Sequence, residues 1–390
     1  MMTTGNFFSK KKAVIKQYFE RWKKRHFFFT PHENPDLDLH VGEAVQWLCR
    51  AQDFGQDSGV AYGTEFGKGF LPSYPETTGY IIPTFIRLSN YYNEVSFLDR
   101  ARAMGDWEIA IQLDSGAVMA GKINPNPSPA VFNTGQVIFG WNRLFKTTGE
   151  KRFVDAAIRA ANWLCDMQRS DGSWYEGNSP NARKDTTVYN VRTAWALGAI
   201  GKTVGEERFV QASLKNAEFA ISQQNGKGWF ANCSLGYVDT PEAPLLHVLA
   251  YSMRGVLEIG LLCKRSDLVA AARKIADSLI VIMTNDGFLP GRINANFEGV
   301  LDYCCLTGSA QTSIVWAKLF AKTGDDRYKK AVLQVNEYLM KRHDIYSLDD
   351  TVRGGLAGSW PIDGGYGRYK ILNWATKFLV DALLEQKEMG

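Results

Sequence analysis

The sequence predicts an all-α fold, an (α/α)6 toroid in which six helical hairpins close into a double ring. Three observations predict it: a turn signature that recurs along the chain, an amphipathic helical segment after each turn, and a second, more apolar helical segment after a long loop. The composition is that of an ordinary globular protein, with 45% hydrophobic and 22% charged residues among 390. A chain of this length can bury a large core.

The turn signature is Thr-Gly-x-x-Arg-aromatic. It occurs at 148–153 and 323–328, with a weaker copy at 204–209. The arginine of the middle copy lies 56 residues after the first and 119 residues before the last, which is about one period and two periods. Repetition at a fixed period indicates a fold assembled from one structural unit.

After each turn, apolar residues recur at helical spacing, as in the segment that begins at Phe153. These amphipathic segments are predicted as outer helices, near 41–52, 97–113, 152–168, 207–224, 267–283 and 327–341. The more apolar segments are predicted as inner helices, near 76–92, 132–147, 188–203, 245–262, 306–322 and 370–386. Helices that are apolar all round must be enclosed by others, so the pattern indicates a closed ring. An open solenoid would need polar capping repeats, and the sequence has none.

Each outer helix ends near Gln or Met and is followed by a Gly-rich stretch, as at 168–174 and 224–229. Short turns join inner to outer helices, and long loops join outer to inner helices, so the long loops gather at one end of the ring. The six inner helices begin at that end, with their unpaired N–H groups directed toward its centre. We therefore expect the functional site there, with a preference for an anionic ligand.

The first 30 residues are strongly basic, with eight Lys or Arg against one acid in a chain of net charge +4. The remainder is slightly acidic, so a body that coats nucleic acid is excluded. Residues 7–29 have the pattern of a basic amphipathic helix. We predict a separate N-terminal arm, 1–35, and a single toroid domain, 36–390. The arm either contacts an anionic membrane surface or packs on the toroid.

The six cysteines show no CxxC spacing, which favours a reducing, cytoplasmic compartment. No apolar run of signal-peptide length follows the basic N-terminus, and no stretch is long and apolar enough to cross a bilayer. The predicted location is therefore the cytoplasm, with the inner face of the membrane as the alternative if the arm binds lipid.

The segment 168–174 matches the Gln-x-x-x-Gly-x-Trp repeat of the squalene cyclase and protein prenyltransferase group. From about residue 40 the chain resembles the six-hairpin glycosidase-like superfamily, in particular the prenyltransferase/squalene-oxidase-repeat-type proteins of bacterial polysaccharide gene clusters. The segments that carry this resemblance are 76–80, 132–136, 188–192, 246–251, 305–311, 358–361 and 373–374. The resemblance implies the toroid. It leaves the reaction open, since such toroids include hydrolases, lyases, uronyl epimerases, cyclases and prenyltransferases.

Two acids are the candidate catalytic pair. Glu76 opens the first inner helix and Asp185 precedes the third, so both side chains can face the mouth of the ring. Glycoside cleavage uses two carboxyl groups about 5–9.5 Å apart. The loop acids Glu242, Asp302 and Asp363 are alternatives at the same end.

His247 is the one histidine that the predicted topology places in the mouth, and Tyr251 lies one helical turn later on the same face. Such a couple can remove and return a proton next to a carboxylate, as uronyl lyases and C5-epimerases require. The alternative is a histidine satisfied by backbone groups.

Further polar and aromatic residues are candidates for substrate binding. Arg192 and Arg254 can clamp a carboxylate, or else pair with structural acids. The remaining candidates lie at inner-helix starts or on the long loops: Asn133, Tyr189, Asn190, Gln311, Asn373, Trp174, Trp229, Trp360 and Tyr366. The alternative for each polar residue is a helix cap, and for each aromatic residue a packing role.

No metal and no cofactor are expected. The Asp-x-Asp-Asp acid of terpenoid cyclases is missing, and Asp302 and Cys304 lack the histidine that a prenyltransferase zinc site needs. The predicted function is a glycoside hydrolase or polysaccharide lyase that acts on an acidic glycan in bacterial surface-polysaccharide metabolism, and the glycan is expected to be lipid-linked if the N-terminal arm binds a membrane. The alternatives are a uronyl C5-epimerase, a non-catalytic glycan-binding or scaffold protein, and an isoprenoid cyclase or prenyltransferase.

Overall fold

A computed structural model of the chain describes residues 31–178, 188–236, 239–300 and 302–390. Within these ranges it contains twelve α-helices. They are α1 Leu37–Asp53, α2 Pro75–Tyr92, α3 Val95–Ala110, α4 Val131–Thr148, α5 Lys151–Met167, α6 Val191–Val204, α7 Glu207–Ser222, α8 Leu246–Leu262, α9 Ser266–Ile282, α10 Leu306–Thr323, α11 Asp326–Met340 and α12 Asn373–Glu388. The three short strands are β1 Gly63–Glu65, β2 Gly69–Phe70 and β3 Lys370–Leu372.

The helices form the predicted (α/α)6 toroid. Each even-numbered helix packs against the next even-numbered helix, and α12 returns to pack against α2 and α1, so the inner ring is closed. The odd-numbered helices surround this ring, and their apolar faces lie against it. The predicted fold class and the alternation of inner and outer helices are confirmed.

Three predicted helix starts differ from the structure by three or four residues. The first outer helix was expected from about 41, but α1 starts at Leu37, where the Asp36 side chain caps it by accepting a hydrogen bond from the amide of Leu39. The third inner helix was expected from 188, but Val188–Asn190 form a 3-10 turn and α6 starts at Val191. The sixth was expected from 370, but Lys370–Leu372 form β3, which pairs with β1. This pairing joins the loop after α1 to the segment before α12, and it closes the ring at the mouth as well.

The glycine of the Gln-x-x-x-Gly repeat is explained by its backbone conformation and by its close contact with the next outer helix. After α3, α5, α7, α9 and α11, one glycine in each loop has a φ between +83° and +96°. A Cβ at any of these positions would lie 2.0–2.6 Å from backbone of the next outer helix. The five glycines are Gly116, Gly172, Gly228, Gly287 and Gly354. We call them the contact glycines. The last of them touches Glu43 of α1, and Arg100 of α3 binds the side chains of Gln52 and Asp53 at the end of α1, so the outer ring also closes.

The glutamine of the repeat ties the same two partners together. Gln168 Nε2 donates to the carbonyl of Gly172 at 3.0 Å and to the carbonyl of Ala212 on the next outer helix at 2.9 Å. Gln112 and Gln224 make the equivalent pairs of bonds. The sequence repeat is therefore a structural device that holds neighbouring outer helices in contact.

Three buried or partly buried histidines connect the two ends of the described chain. His40 on α1 and His343 after α11 are fully buried, with 2.9 Å between their Nδ1 atoms. His343 Nε2 lies 2.8 Å from the carbonyl of Gly354, and His32 Nε2 lies 3.0 Å from the carbonyl of His343. The last contact glycine, Gly354, therefore contacts Glu43 of α1 on one side and His343 on the other.

Residues 1–30 of the predicted N-terminal arm, 1–35, lie outside the described part, and with them the membrane contact predicted for residues 7–29. Within the described part, no helix combines the length and the apolar character that crossing a lipid bilayer requires.

The contact glycines give a test of the fold. We expect Gly172→Ala to lower the free energy of unfolding by about 2–4 kcal/mol, since it adds strained backbone and a clash with backbone. The φ of Gly172 is +88°, and the added Cβ would lie 2.4 Å from the carbonyl oxygen of Lys215. Urea unfolding followed by circular dichroism measures the change.

Gly149→Ala is the matched control. Gly149 also has a positive φ, +73°, but a Cβ there would meet nothing within 4 Å. The Gly149→Ala variant should lose about 1 kcal/mol of its free energy of unfolding, from backbone strain alone. Equal losses in the two variants would show that close helix approach plays no part.

Candidate active site

All six inner helices, or the residues just before them, contribute side chains to one mouth. A continuous series of ring contacts, with centroids 4.3–6.5 Å apart, lines this mouth. Its members, which we call the aromatic belt, are in order Tyr74, Tyr62, Trp374, Tyr366, His247, Tyr251, Phe132 and Tyr189. Rings of this kind can pack on the apolar faces of sugars.

Glu76 stands in the first turn of α2, beside the aromatic belt. Tyr74 precedes the helix and donates a hydrogen bond from its hydroxyl to Glu76 Oε2 at 2.6 Å. Burial raises the pKa of Glu76 to about 7, against the lowering effects of the Tyr74 bond and of Arg192. The side chain nevertheless keeps partial solvent access. A carboxyl group of this kind can act as a general acid near neutral pH.

Arg192 lies at the start of α6 and is 2% exposed. Its Nε donates to Gln136 Oε1 at 2.7 Å. Its guanidinium carbon is 4.8–5.5 Å from the centres of five rings, those of Tyr80, Phe139, Trp195, Tyr251 and Phe378.

Among the described residues, no carboxylate forms an ion pair with Arg192, although Asp381 raises the pKa of Arg192 from farther away. Burial lowers the pKa of Arg192 to about 10, so the group stays charged at neutral pH. Among the described residues, its buried Nη1 has no hydrogen-bond partner. None of the ion pairs formed by those residues includes Arg192 either. An enclosed cation with a free donor is suited to bind the carboxylate of a ligand.

His247 and Tyr251 meet as the sequence predicted for one face of a helix, with ring centroids 4.3 Å apart. Gln311 Nε2 lies 2.6 Å from His247 Nδ1 and 3.4 Å from the carbonyl of Thr307. In the orientation that the Gln311 amide has here, its nitrogen faces both acceptors; with this orientation Nδ1 accepts and the proton of the neutral ring sits on Nε2.

This tautomer changes the role expected for His247. Burial lowers the pKa of His247 to about 3, so the ring is neutral at physiological pH. A neutral ring with its proton on Nε2 offers a hydrogen-bond donor to the mouth instead of a base. Burial also raises the pKa of Tyr251. The geometry therefore argues against His247 as the group that removes a proton.

Several buried polar atoms around the mouth have no hydrogen-bond partner among the described residues. They are Asn190 Oδ1, Asn373 Oδ1, Gln311 Oε1 and Thr307 Oγ1. A buried polar atom left unpaired costs about 1–3 kcal/mol. Such atoms concentrated at one place indicate a site that a polar ligand completes.

Other predicted residues lie elsewhere or serve the fold. Asn133 Nδ2 donates to the carbonyl of Met119 and anchors a loop. Arg254 forms an ion pair with Glu258 on its own helix, at 3.4 Å. Asp185 lies outside the described residues, so its distance from Glu76 stays a prediction.

One of the predicted sugar-stacking tryptophans is corrected by the structure. Trp174 is fully buried, and its Nε1 donates to the carbonyl of Leu164, so the indole fills space under its loop. Trp229 lines a surface cavity with Asn232 and Glu242, and its Nε1 donates to the carbonyl of Ile293. Its contact with sugar stays a prediction. Trp360 lies on the loop before α12, 5.9 Å from Arg342, and Tyr366 joins the aromatic belt.

Five aromatic residues around the mouth were not predicted as site residues: Tyr62, Tyr74, Tyr80, Phe132 and Trp374. Three of them fall inside the segments that carried the family resemblance, which was the available signal. Tyr62 and Tyr74 belong to the loop between α1 and α2, where no motif marked them. Among the described residues, no group of three or more His, Cys, Asp or Glu side chains is placed to hold a metal ion.

Comparison with known proteins gives a partial family match and clear structural relatives. The model of the ulvan lyase N-terminal domain matches residues 109–299, just under half of the chain. No curated protein matches the sequence.

Among solved structures, an unsaturated glucuronyl hydrolase specific for heparin superposes with a TM-score of 0.73 at 14% identity, over 90% of this chain and 97% of its own. The unsaturated glucuronyl hydrolase of Bacillus sp. GL1, responsible for the degradation of glycosaminoglycan, superposes with a TM-score of 0.71 at 14% identity. The match covers 89% of this chain and 96% of that chain. Cellobiose 2-epimerase from Bacillus thermoamylovorans B4167 superposes with a TM-score of 0.69 at 12% identity, and the match covers 90% of this chain and 98% of that chain. These similarities establish a shared fold.

Because the buried charge of Arg192 has no ion-pair partner among the described residues, we expect its removal to stabilise the fold. We expect the double variant Arg192→Met/Gln136→Met to unfold at a higher temperature than the wild type. It removes a buried charge together with its hydrogen-bond partner, and such replacements are often neutral or stabilising by about 1–4 kcal/mol. Differential scanning calorimetry measures the shift.

Arg254→Met is the matched control, because it removes an inner-ring arginine that has an acidic partner, Glu258. This variant should be less stable than the wild type. If the Arg192 double variant loses as much stability as Arg254→Met, then Arg192 serves the fold and not a ligand.

Proposed function

We propose that this chain, which has the fold of the six-hairpin glycosidase-like superfamily, is a hydrolase that acts on an acidic oligosaccharide with Glu76 as its general acid. One observation carries the proposal: Glu76, whose pKa burial raises to about 7, lies within electrostatic reach of the buried Arg192, whose Nη1 has no hydrogen-bond partner among the described residues. The proton donor and the carboxylate receptor that such a substrate needs thus lie at the same mouth.

In this proposal the sugar carboxylate binds Arg192 and the sugar ring packs against the aromatic belt. Glu76 Oε2 accepts the hydrogen bond from Tyr74, so Oε1 holds the proton that passes to the leaving oxygen. His247 Nε2 donates a hydrogen bond to a substrate oxygen. Hydrolysis also needs a group that activates water or attacks the sugar, and Asp185 remains the predicted candidate. The relatives named as glucuronyl hydrolases support this substrate class.

Elimination by a lyase is the second candidate, and a specific observation favours it. The ulvan lyase match covers Arg192, His247 and Tyr251 but not Glu76. In a lyase, Arg192 would neutralise the substrate carboxylate and Tyr251 would remove the proton next to it. The proton on Nε2 of His247 weighs against the His/Tyr couple in this role, and equally against C5-epimerisation.

The remaining alternatives are weaker. An isoprenoid enzyme calls for a cavity free of charge, whereas Glu76 and Arg192 bring charge to this one. A purely glycan-binding protein has no need for a carboxyl group whose pKa is about 7. A role in bacterial surface-polysaccharide metabolism, on a lipid-linked glycan in the cytoplasm, rests on the resemblance and the basic N-terminal arm.

The role of Glu76 predicts a pH dependence. Because the acid must be protonated, kcat/KM should hold its value below a pH of about 7 and fall about tenfold for each pH unit above it. Glu76→Gln should lower kcat about 10²–10⁴-fold and abolish this basic limb. Release of reducing ends from uronic acid oligosaccharides measures hydrolysis, and the ultraviolet absorbance of a new double bond measures elimination.

Glu108→Gln is the control. Glu108 is a second buried glutamate, on α3, whose pKa burial also raises well above the usual range. Its replacement should leave the pH profile unchanged. Wild-type turnover by Glu76→Gln would refute the proposed acid, and a product with a new double bond would establish the lyase instead.

A further inference from the structure

A cluster of lysines lies at the rim of the mouth, outside the site described so far. Lys122 Nζ lies 5.4 Å from the centre of the Tyr62 ring, and Lys370 Nζ lies 5.9 Å from the same centre. The two residues come from different parts of the chain, Lys122 from the loop before α4 and Lys370 from β3. A tyrosine ring attracts ammonium groups and therefore helps to hold both of them at this place.

The backbone fixes both lysines beside the site. The amide of Ile123, next to Lys122, donates to the carbonyl of Ser73, which directly precedes Tyr74. Lys370 pairs with Glu65 in the register of β1 and β3. Tyr62 in turn contacts Tyr74 at 5.2 Å and Trp374 at 4.7 Å between ring centres, and Tyr74 binds Glu76. One aromatic ring thus separates the lysine cluster from the residue that holds the proposed acid.

The cluster has an excess of positive charge. Glu65 is its acid, and this carboxylate lies 2.7 Å from Lys68 and 3.9 Å from Lys370. Lys68, Lys370 and Lys122 together hold the pKa of Glu65 below its usual range, and the hydrogen bond from Lys68 has the largest effect. Three lysines around one carboxylate leave two positive charges unbalanced among the described residues. Lys122 is exposed to solvent and Lys370 partly so.

We propose that Lys122 and Lys370 form a second anion-binding subsite, which takes the negative group of the sugar next to the one bound at Arg192. This inference rests on the proposed function and narrows its substrate: an oligosaccharide with carboxylate or sulfate groups on neighbouring sugars. Arg192 holds one anionic group deep in the mouth, and the two lysines hold the next one at the rim. A glycan with neutral sugars between its uronic acids satisfies Arg192 alone.

Binding of two defined probes tests the subsite. One is a heparin tetrasaccharide, with negative groups on adjacent sugars, and the other is a hyaluronan tetrasaccharide, with a neutral sugar between its uronic acids. Isothermal titration calorimetry at low and moderate salt is performed on the Glu76→Gln protein, to prevent turnover, with and without Lys122→Gln/Lys370→Gln. We expect the lysine replacements to weaken heparin binding about tenfold at low salt, less at higher salt, and to leave hyaluronan binding unchanged.

Lys146→Gln/Lys322→Gln is the matched control. These two lysines lie in the last turns of α4 and α10, at the opposite end of the ring, and their loss changes the net charge equally. Their replacement should leave heparin binding intact. A desulfated heparin tetrasaccharide separates the contribution of sulfate from that of carboxylate.

Equal heparin affinity and salt dependence with and without Lys122 and Lys370 would overturn the subsite, as would the absence of heparin binding by the Glu76→Gln protein. A different result would refute the proposed reaction and leave the subsite standing. If Glu76→Gln keeps wild-type turnover while the lysine replacements weaken heparin binding, the acid is wrong and the subsite stands.

Discussion

The close approach of loop backbone to helix backbone at the contact glycines is the constraint on which the rest of the structure depends. Each contact sets the position of one outer helix relative to the next, and the glutamine bonds to both partners leave little freedom. The last contact joins α11 to α1, and the bonds of Arg100 to Gln52 and Asp53 join α1 to α3, so the six positions are mutually consistent in a closed ring. Closure in turn directs all six inner-helix starts toward one mouth.

The mouth holds groups that weaken the fold on their own. A buried guanidinium with no ion-pair partner among the described residues and several unpaired polar atoms each cost free energy, and they lie at the starts of inner helices that meet at the mouth. A large, continuous apolar core between the two rings supplies the stability that offsets them. Departures from good packing rules that concentrate at one place, in a protein that otherwise follows them, are typical of a functional site.

Most of the fold could be predicted from the sequence, because the turn signature, the helical spacing and the Gln-x-x-x-Gly repeat all report the same period. Part of the site followed from it: Glu76, Arg192, His247 and Tyr251 lie at predicted inner-helix starts and do meet. Tyr62, Tyr74 and Lys122 could not be predicted, since loop packing and strand pairing bring them to the mouth. Trp174 looked like a ligand-binding residue because a tryptophan after a Gly-rich turn has the same local sequence whether it is buried or exposed.

The closed ring also has a consequence for how the chain is made. Trp47 on the first outer helix donates to the carbonyl of Thr351, 304 positions later, so its partner leaves the ribosome long after the helix does. Until then the apolar face of that helix has no permanent cover, and the nascent chain depends on slow, long-range closure that exposes it to misassembly. A toroid of this kind therefore closes only after its sixth hairpin has been made, not hairpin by hairpin.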